Sequence, residues 1–103
     1  MEDMELVCFK IISAVGEAKS DYVAAINAAR EGDFAKAEEL LAHGESVFVK
    51  GHEAHAGLIQ KEAAGEKSEF SLLLMHAEDQ LMTTETLKML VEELILTHKK
   101  YSK

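Results

Sequence analysis

The chain has 103 residues, 48% of them hydrophobic, and 19 acidic against 11 basic side chains give a formal net charge of −8. That length makes a single domain spanning residues 1–103, and the acidic balance excludes the basic face that nucleic acid or an anionic membrane would require. The one cysteine, Cys8, excludes an internal disulfide, and the acidic start lacks the regions of a signal peptide, so the expected location is the cytoplasm.

With no Pro, no Trp and an abundance of Ala, Leu, Glu and Lys, the chain reads as all-α. No run is long and apolar enough to cross a bilayer. Three helices are predicted, over about residues 3–31, 33–64 and 69–98. In the first, Met4, Cys8, Ile11, Val15, Ala18, Tyr22, Ala25 and Ala29 alternate by four and three, the mark of a core-facing seam. Glu17, Lys19, Asn27 and Arg30 form its polar face, Cys8 reads as a small core filler, and Gly16 as a close approach or a bend.

Glu31-Gly32-Asp33 breaks the pattern: Gly32 can stop one helix and Asp33 can cap the next. So short a link makes the two helices antiparallel. The second helix carries the stripe Ala37, Leu40, Leu41, Gly44, Val47, Phe48, Gly51, Ala54 and Leu58. Two glycines on a helical stripe cost about 1 kcal/mol each, so close contact with another helix is expected there. His52-Glu53-Ala54-His55 is one residue short of the zinc-protease spacing and offers no third ligand, which favours exposed or hydrogen-bonded histidines. Gly65 supplies the next stop, and Ser68 or Ser71 can cap the third helix.

The third helix contains the stretch that stands out, Ser71-Leu-Leu-Leu-Met-His-Ala-Glu-Asp-Gln-Leu-Met-Thr-Thr84. His76 lies three residues before Asp79 and four before Gln80, which crowds an imidazole, a carboxylate and an amide together on one side. With Leu72 at heptad position a, the a and d sites are Leu72, Met75, Asp79, Met82, Thr86, Met89, Glu93 and Leu96. A second stripe runs through Leu74, Leu81, Leu87, Val91, Leu94 and Ile95. One stripe serves the chain's own core, and the other requires a second partner, read here as a subunit interface. Copies of the a/d seam meeting on a symmetry axis would bring their Asp79 carboxylates together, and such a cluster needs protons or a hard cation such as Mg²⁺. His76 falls at position e, at the lip between copies. Pattern alone favours a blander reading, in which His76 is a hydrogen-bonded core histidine and Asp79 a polar residue that sets register.

The stretch Phe70–Thr84, together with Ile11-Ile-Ser-Ala-Val-Gly-Glu-Ala-Lys-Ser-Asp-Tyr22 and Gly57-Leu-Ile-Gln-Lys-Glu-Ala63, resembles the lactose/cellobiose class of IIA proteins of the bacterial phosphoenolpyruvate-dependent sugar phosphotransferase system. The resemblance implies a homotrimer of antiparallel three-helix subunits, with a coiled-coil-like seam of third helices on the axis. It implies that His76 accepts a phosphoryl group from the histidine phosphocarrier protein and passes it to a cysteine of the IIB component, while the membrane IIC component delivers the sugar. It also implies that Asp79 from each subunit holds a divalent cation on the axis. Where many members have a second histidine four residues after the first, this chain has Gln80, so an amide must serve there, as a hydrogen-bond donor to the phosphoryl oxygens or to the ring. His55-Ala56 replaces a frequent Gln-Thr. Leu73, Leu74 and Met75 are expected to keep water from the phosphorylated ring. Two rivals are weighed against this reading. A two-component phosphotransfer domain would show His-x-x-Lys-Gly, which is absent after His76. A non-catalytic trimeric helical interaction module is the alternative that composition allows.

Overall fold

The computed structural model describes residues 3–102, and these form three helices: α1 Met4–Arg30, α2 Phe34–Ala63 and α3 Leu72–Lys100. Among the described residues there is no strand, and no helix is long and apolar enough to cross a membrane. The molecule is a rod of 55 × 20 × 19 Å. That is the shape expected of helices of this length packed side by side.

The breaks between the helices have local causes. Gly32 turns the chain at φ +82°, and the Asp33 carboxylate accepts from the Lys36 amide at 3.1 Å, which caps α2. Gly65, at φ +92°, ends α2. Ser71 rather than Ser68 caps α3, its hydroxyl accepting from the Leu74 amide at 3.1 Å. The third helix therefore starts a few residues later than expected from sequence, and it continues to Lys100. Its last turn carries His98, Lys99 and Lys100, where positive charge suits the helix dipole.

The first helix is the spine of the bundle. It packs along both other helices, whereas α2 and α3 meet only along a narrow line. Its expected seam is buried from Cys8 to Ala29, with Val7 added and Met4 half-buried. Alanines interleave with the larger core residues (Ala18, Ala25, Ala29, Ala37 and Ala77), which lets the helices approach closely. Gly44 and Gly51 make this possible. A Cβ at Gly44 would lie 2.6 Å from Tyr22 Cε1, and one at Gly51 would lie 3.1 Å from Val15 Cγ2. The Tyr22 ring, fully buried, occupies the space that the missing Gly44 side chain leaves. Gly16 makes no close approach: α1 continues through it, and nothing lies within 4 Å of a Cβ built there.

Polar contacts hold the antiparallel register. His43 Nδ1 lies 2.6 Å from Asp21 Oδ2 between α2 and α1. The Tyr22 hydroxyl donates to Glu45 at 3.5 Å, and Glu45 also takes an ion pair from Lys88, so one carboxylate ties all three helices. At the far end Lys99 pairs with Glu38. Burial and the neighbouring Glu45 carboxylate push the Tyr22 hydroxyl well above its ordinary range.

Candidate functional site

The third helix decides where the site lies. Leu74, Ala77, Leu81, Thr84, Val91 and Ile95 face inward and are buried. The a/d positions lie on the opposite face, and all eight of them, from Leu72 to Leu96, are exposed in the single chain. Leu72 is 82% exposed, Met75 55%, Met82 57%, Met89 64% and Leu96 58%. An isolated soluble domain rarely presents so long an apolar stripe to water. Of the two stripes read from the sequence, the second serves the core, with only Leu94 of it exposed, and the a/d seam is the one left without a partner.

Asp79 sits in the middle of that outward stripe, between Met75 and Met82. Among the described residues no three His, Cys, Asp or Glu side chains of one chain converge as metal ligands. A cation at Asp79 would therefore draw its oxygens from several copies, and one exposed carboxylate per chain fits that arrangement.

His76 and Gln80 lie on one flank of the stripe. His76 is exposed, Gln80 is half-buried, and neither side chain has a hydrogen-bond or ion-pair partner among the described residues. The reading of His76 as a satisfied core histidine is thereby corrected: two residues of helix turn separate it from the buried face of Leu74, about 200° around the axis. For the same reason Leu74 cannot shield His76. It is buried on the far side of α3, lining a groove with Leu58 of α2. Leu73, half-buried and about 60° from His76 around the helix, remains beside it.

The other flank of the stripe carries Glu78, which the sequence reading passed over. Its Oε1 lies 2.7 Å from Nε2 of His55 on α2. A carboxylate only accepts, so this imidazole nitrogen carries the hydrogen. The pair spans the narrow contact between α2 and α3, and it removes His55 from the metal-like His52/His55 spacing. His52 is exposed, its ring tilted against Phe48 at 6.4 Å. Burial and the Glu78 carboxylate together push the Cys8 thiol on α1 above its ordinary value, which suits a core filler rather than a nucleophile. Glu78 also borders a groove of about 480 Å³ between α2 and α3, lined by Leu58, Ile59, Phe70, Met75 and Met82. No sequence signal pairs residues 55 and 78, because interhelical register emerges only on packing.

An exposed, unengaged histidine beside an outward apolar stripe on a three-helix rod is a specific combination, and comparison with known proteins gives it a family. Residues 6–99 match the lactose/cellobiose-specific IIA subunit family of the phosphotransferase system. The chain belongs to that family. It is 42% identical over 101 residues to the lactose-specific EIIA component of the phosphotransferase system of Streptococcus mutans serotype c, covering 98% of this chain and 97% of the relative. It superposes on the cellobiose-specific enzyme IIA of Bacillus anthracis with a TM-score of 0.90 at 37% identity, over 97% of this chain and 93% of that one. It also superposes on the IIA(chitobiose) protein from a solution structure of the IIA(chitobiose)–HPr complex of the Escherichia coli phosphotransferase system. There the TM-score is 0.85 at 33% identity, with both chains fully covered.

Proposed function

We propose that this protein is a cytoplasmic phosphoryl carrier in disaccharide uptake. His76 accepts a phosphoryl group from HPr, the histidine phosphocarrier protein, and passes it to a cysteine of the IIB component. The observation that carries this reading is His76 itself, exposed and with no ring nitrogen engaged, at the position that the family resemblance gives to the acceptor. That a similar protein forms a complex with HPr supports the choice of donor.

The chemistry asks for positioning more than for acid–base work. A bare imidazole nitrogen of His76 attacks phosphorus in line, and the N–P bond of the donor phosphohistidine breaks with its electron pair returning to the donor ring. Each ring keeps the proton on its far nitrogen, so no proton needs to move during the transfer. Gln80, one turn on, donates an amide hydrogen bond to the phosphoryl oxygens or orients the ring. Delivery to IIB repeats the displacement with a cysteine thiolate as nucleophile, the electron pair of the N–P bond returning to the His76 ring.

The working form is a homotrimer whose third helices meet along the a/d seam, which accounts for the exposed stripe. Asp79 from each copy holds a divalent cation, Mg²⁺ or a similar hard ion, on the axis. When bound, this ion neutralises converging carboxylates and takes no part in transfer.

Intact mass after incubation with phosphoenolpyruvate, enzyme I and HPr tests the carrier role. One phosphoryl group should appear on the wild type, labile to acid and stable to base, and none on His76→Ala. Absence of the group from a folded wild-type protein would return the chain to a helical interaction module.

A further inference from the structure

We propose that the His55–Glu78 pair of one copy completes the His76 site of the next, where His55 keeps the Glu78 carboxylate from opposing the phosphoryl group. This rests on the carrier reading and the trimer proposed above.

The argument starts from the angular order of residues around α3. The seam has its midline near Met75, Asp79 and Met82. His76 lies about 90° to one side of that midline and Glu78 about 70° to the other. In a closed ring of copies the interface is heterologous, so the left flank of each α3 meets the right flank of its neighbour. Cyclic symmetry keeps the helices parallel and in register, and residues at equal height face one another. His76 and Glu78 are only two residues apart in height, about 3 Å. The His76 flank of one copy therefore faces the Glu78 flank of the next, with its α2 behind it.

That juxtaposition has an electrostatic consequence. A phosphorylated imidazole carries the charge of its phosphoryl oxygens, and a free carboxylate a few ångströms away would oppose its formation. Glu78 is not free. Its Oε1 accepts from His55 Nε2 at 2.7 Å, which draws the carboxylate toward α2 and sets a hydrogen-bond donor against it. The His55 side chain is only 18% exposed, so packing fixes the imidazole, and the 2.7 Å contact holds the Glu78 carboxylate, itself 38% exposed, against it. Neither residue makes or breaks a bond in the transfer. His55 is a positioning residue acting through Glu78, and it acts on the neighbour's histidine rather than on its own.

The test is the equilibrium phosphoryl occupancy of His76 at a fixed ratio of phosphorylated to free HPr, with the assembly state followed by sedimentation. His55→Ala should lower occupancy about tenfold while the protein still sediments as a trimer, because the Glu78 carboxylate is then free to turn toward the phosphoryl group. His55→Gln/Glu78→Gln, which replaces the pair by neutral amides, should restore it. Excess His76→Ala chains mixed with His55→Ala chains should restore it as well, because each His55→Ala chain then borders intact His55. Unchanged occupancy in trimeric His55→Ala, no recovery in the amide pair, or no recovery in the mixed trimers would overturn the inference and leave the carrier reading standing. A wild type that is monomeric would overturn it along with the trimer, and a wild type that takes up no phosphoryl group would overturn it along with the carrier.

Discussion

Two glycines in long helices meet opposite surroundings. A Cβ at Gly44 would press on the Tyr22 ring at 2.6 Å and on Asp21 Cβ at 3.1 Å, and the fully buried ring has nowhere to swing. Gly44→Ala should therefore destabilise the fold by about 1–3 kcal/mol despite the better helix propensity. At Gly16 the same substitution meets open space, and it should stabilise by about 1 kcal/mol. Urea midpoints at unchanged slope would measure both. The His43–Asp21 pair makes a prediction about pH. The hydrogen bond to Asp21, reinforced by its charge, raises the His43 imidazole above its ordinary value, about 6.5 in an unfolded chain. Its stabilising effect is complete below that unfolded value and is lost as pH rises through the higher folded one. Asp21→Asn should remove this part of the decline in thermal midpoint between mildly acidic and mildly alkaline pH, and an unchanged pH profile would show that the pair contributes nothing.

The third helix has three jobs around its circumference: an inward face for the core, an outward seam, and two flanks that carry His76 and Glu78. Asp79 belongs to the seam, and its proposed role is to recruit a cation and set register. Asp79→Leu should keep the proposed trimer, since an apolar residue suits the seam, and should abolish any stabilisation by Mg²⁺. Thermal melts with and without chelator, read beside sedimentation, check both parts. Loss of the trimer in this variant would show that the cation is its main glue.

At the scale of the whole molecule, a thin rod with an apolar stripe along one side is an incomplete object. Association along the proposed seam would cover that stripe and add to the stability of the small core. Met82, 57% exposed on the single chain, is expected to be covered in the proposed trimer. Met82→Asp should leave helical content unchanged at low temperature and yield a monomer by sedimentation. Its thermal midpoint should fall and should no longer rise with protein concentration.

Periodicity and composition determined much on their own. The four-three spacing of Met4 to Ala29 and the caps around Gly32 and Gly65 follow from local geometry, because each depends on residues close in the chain, while Gly44 and Gly51 signal by their place on a helical stripe that another helix comes close, but not which residues it brings. The same holds for the grouping of His76 with Gln80 on one flank of a heptad seam. What the tertiary structure alone decided is which stripe of α3 turns inward, which of its flanks α2 covers, and that His55 meets Glu78. Those outcomes depend on side-chain volumes summed across three helices. The buried Tyr22 ring against Gly44 sets how α1 and α2 lie, α3 then settles on α1, and the pairing of residues 23 positions apart is a consequence of that packing rather than of any local pattern.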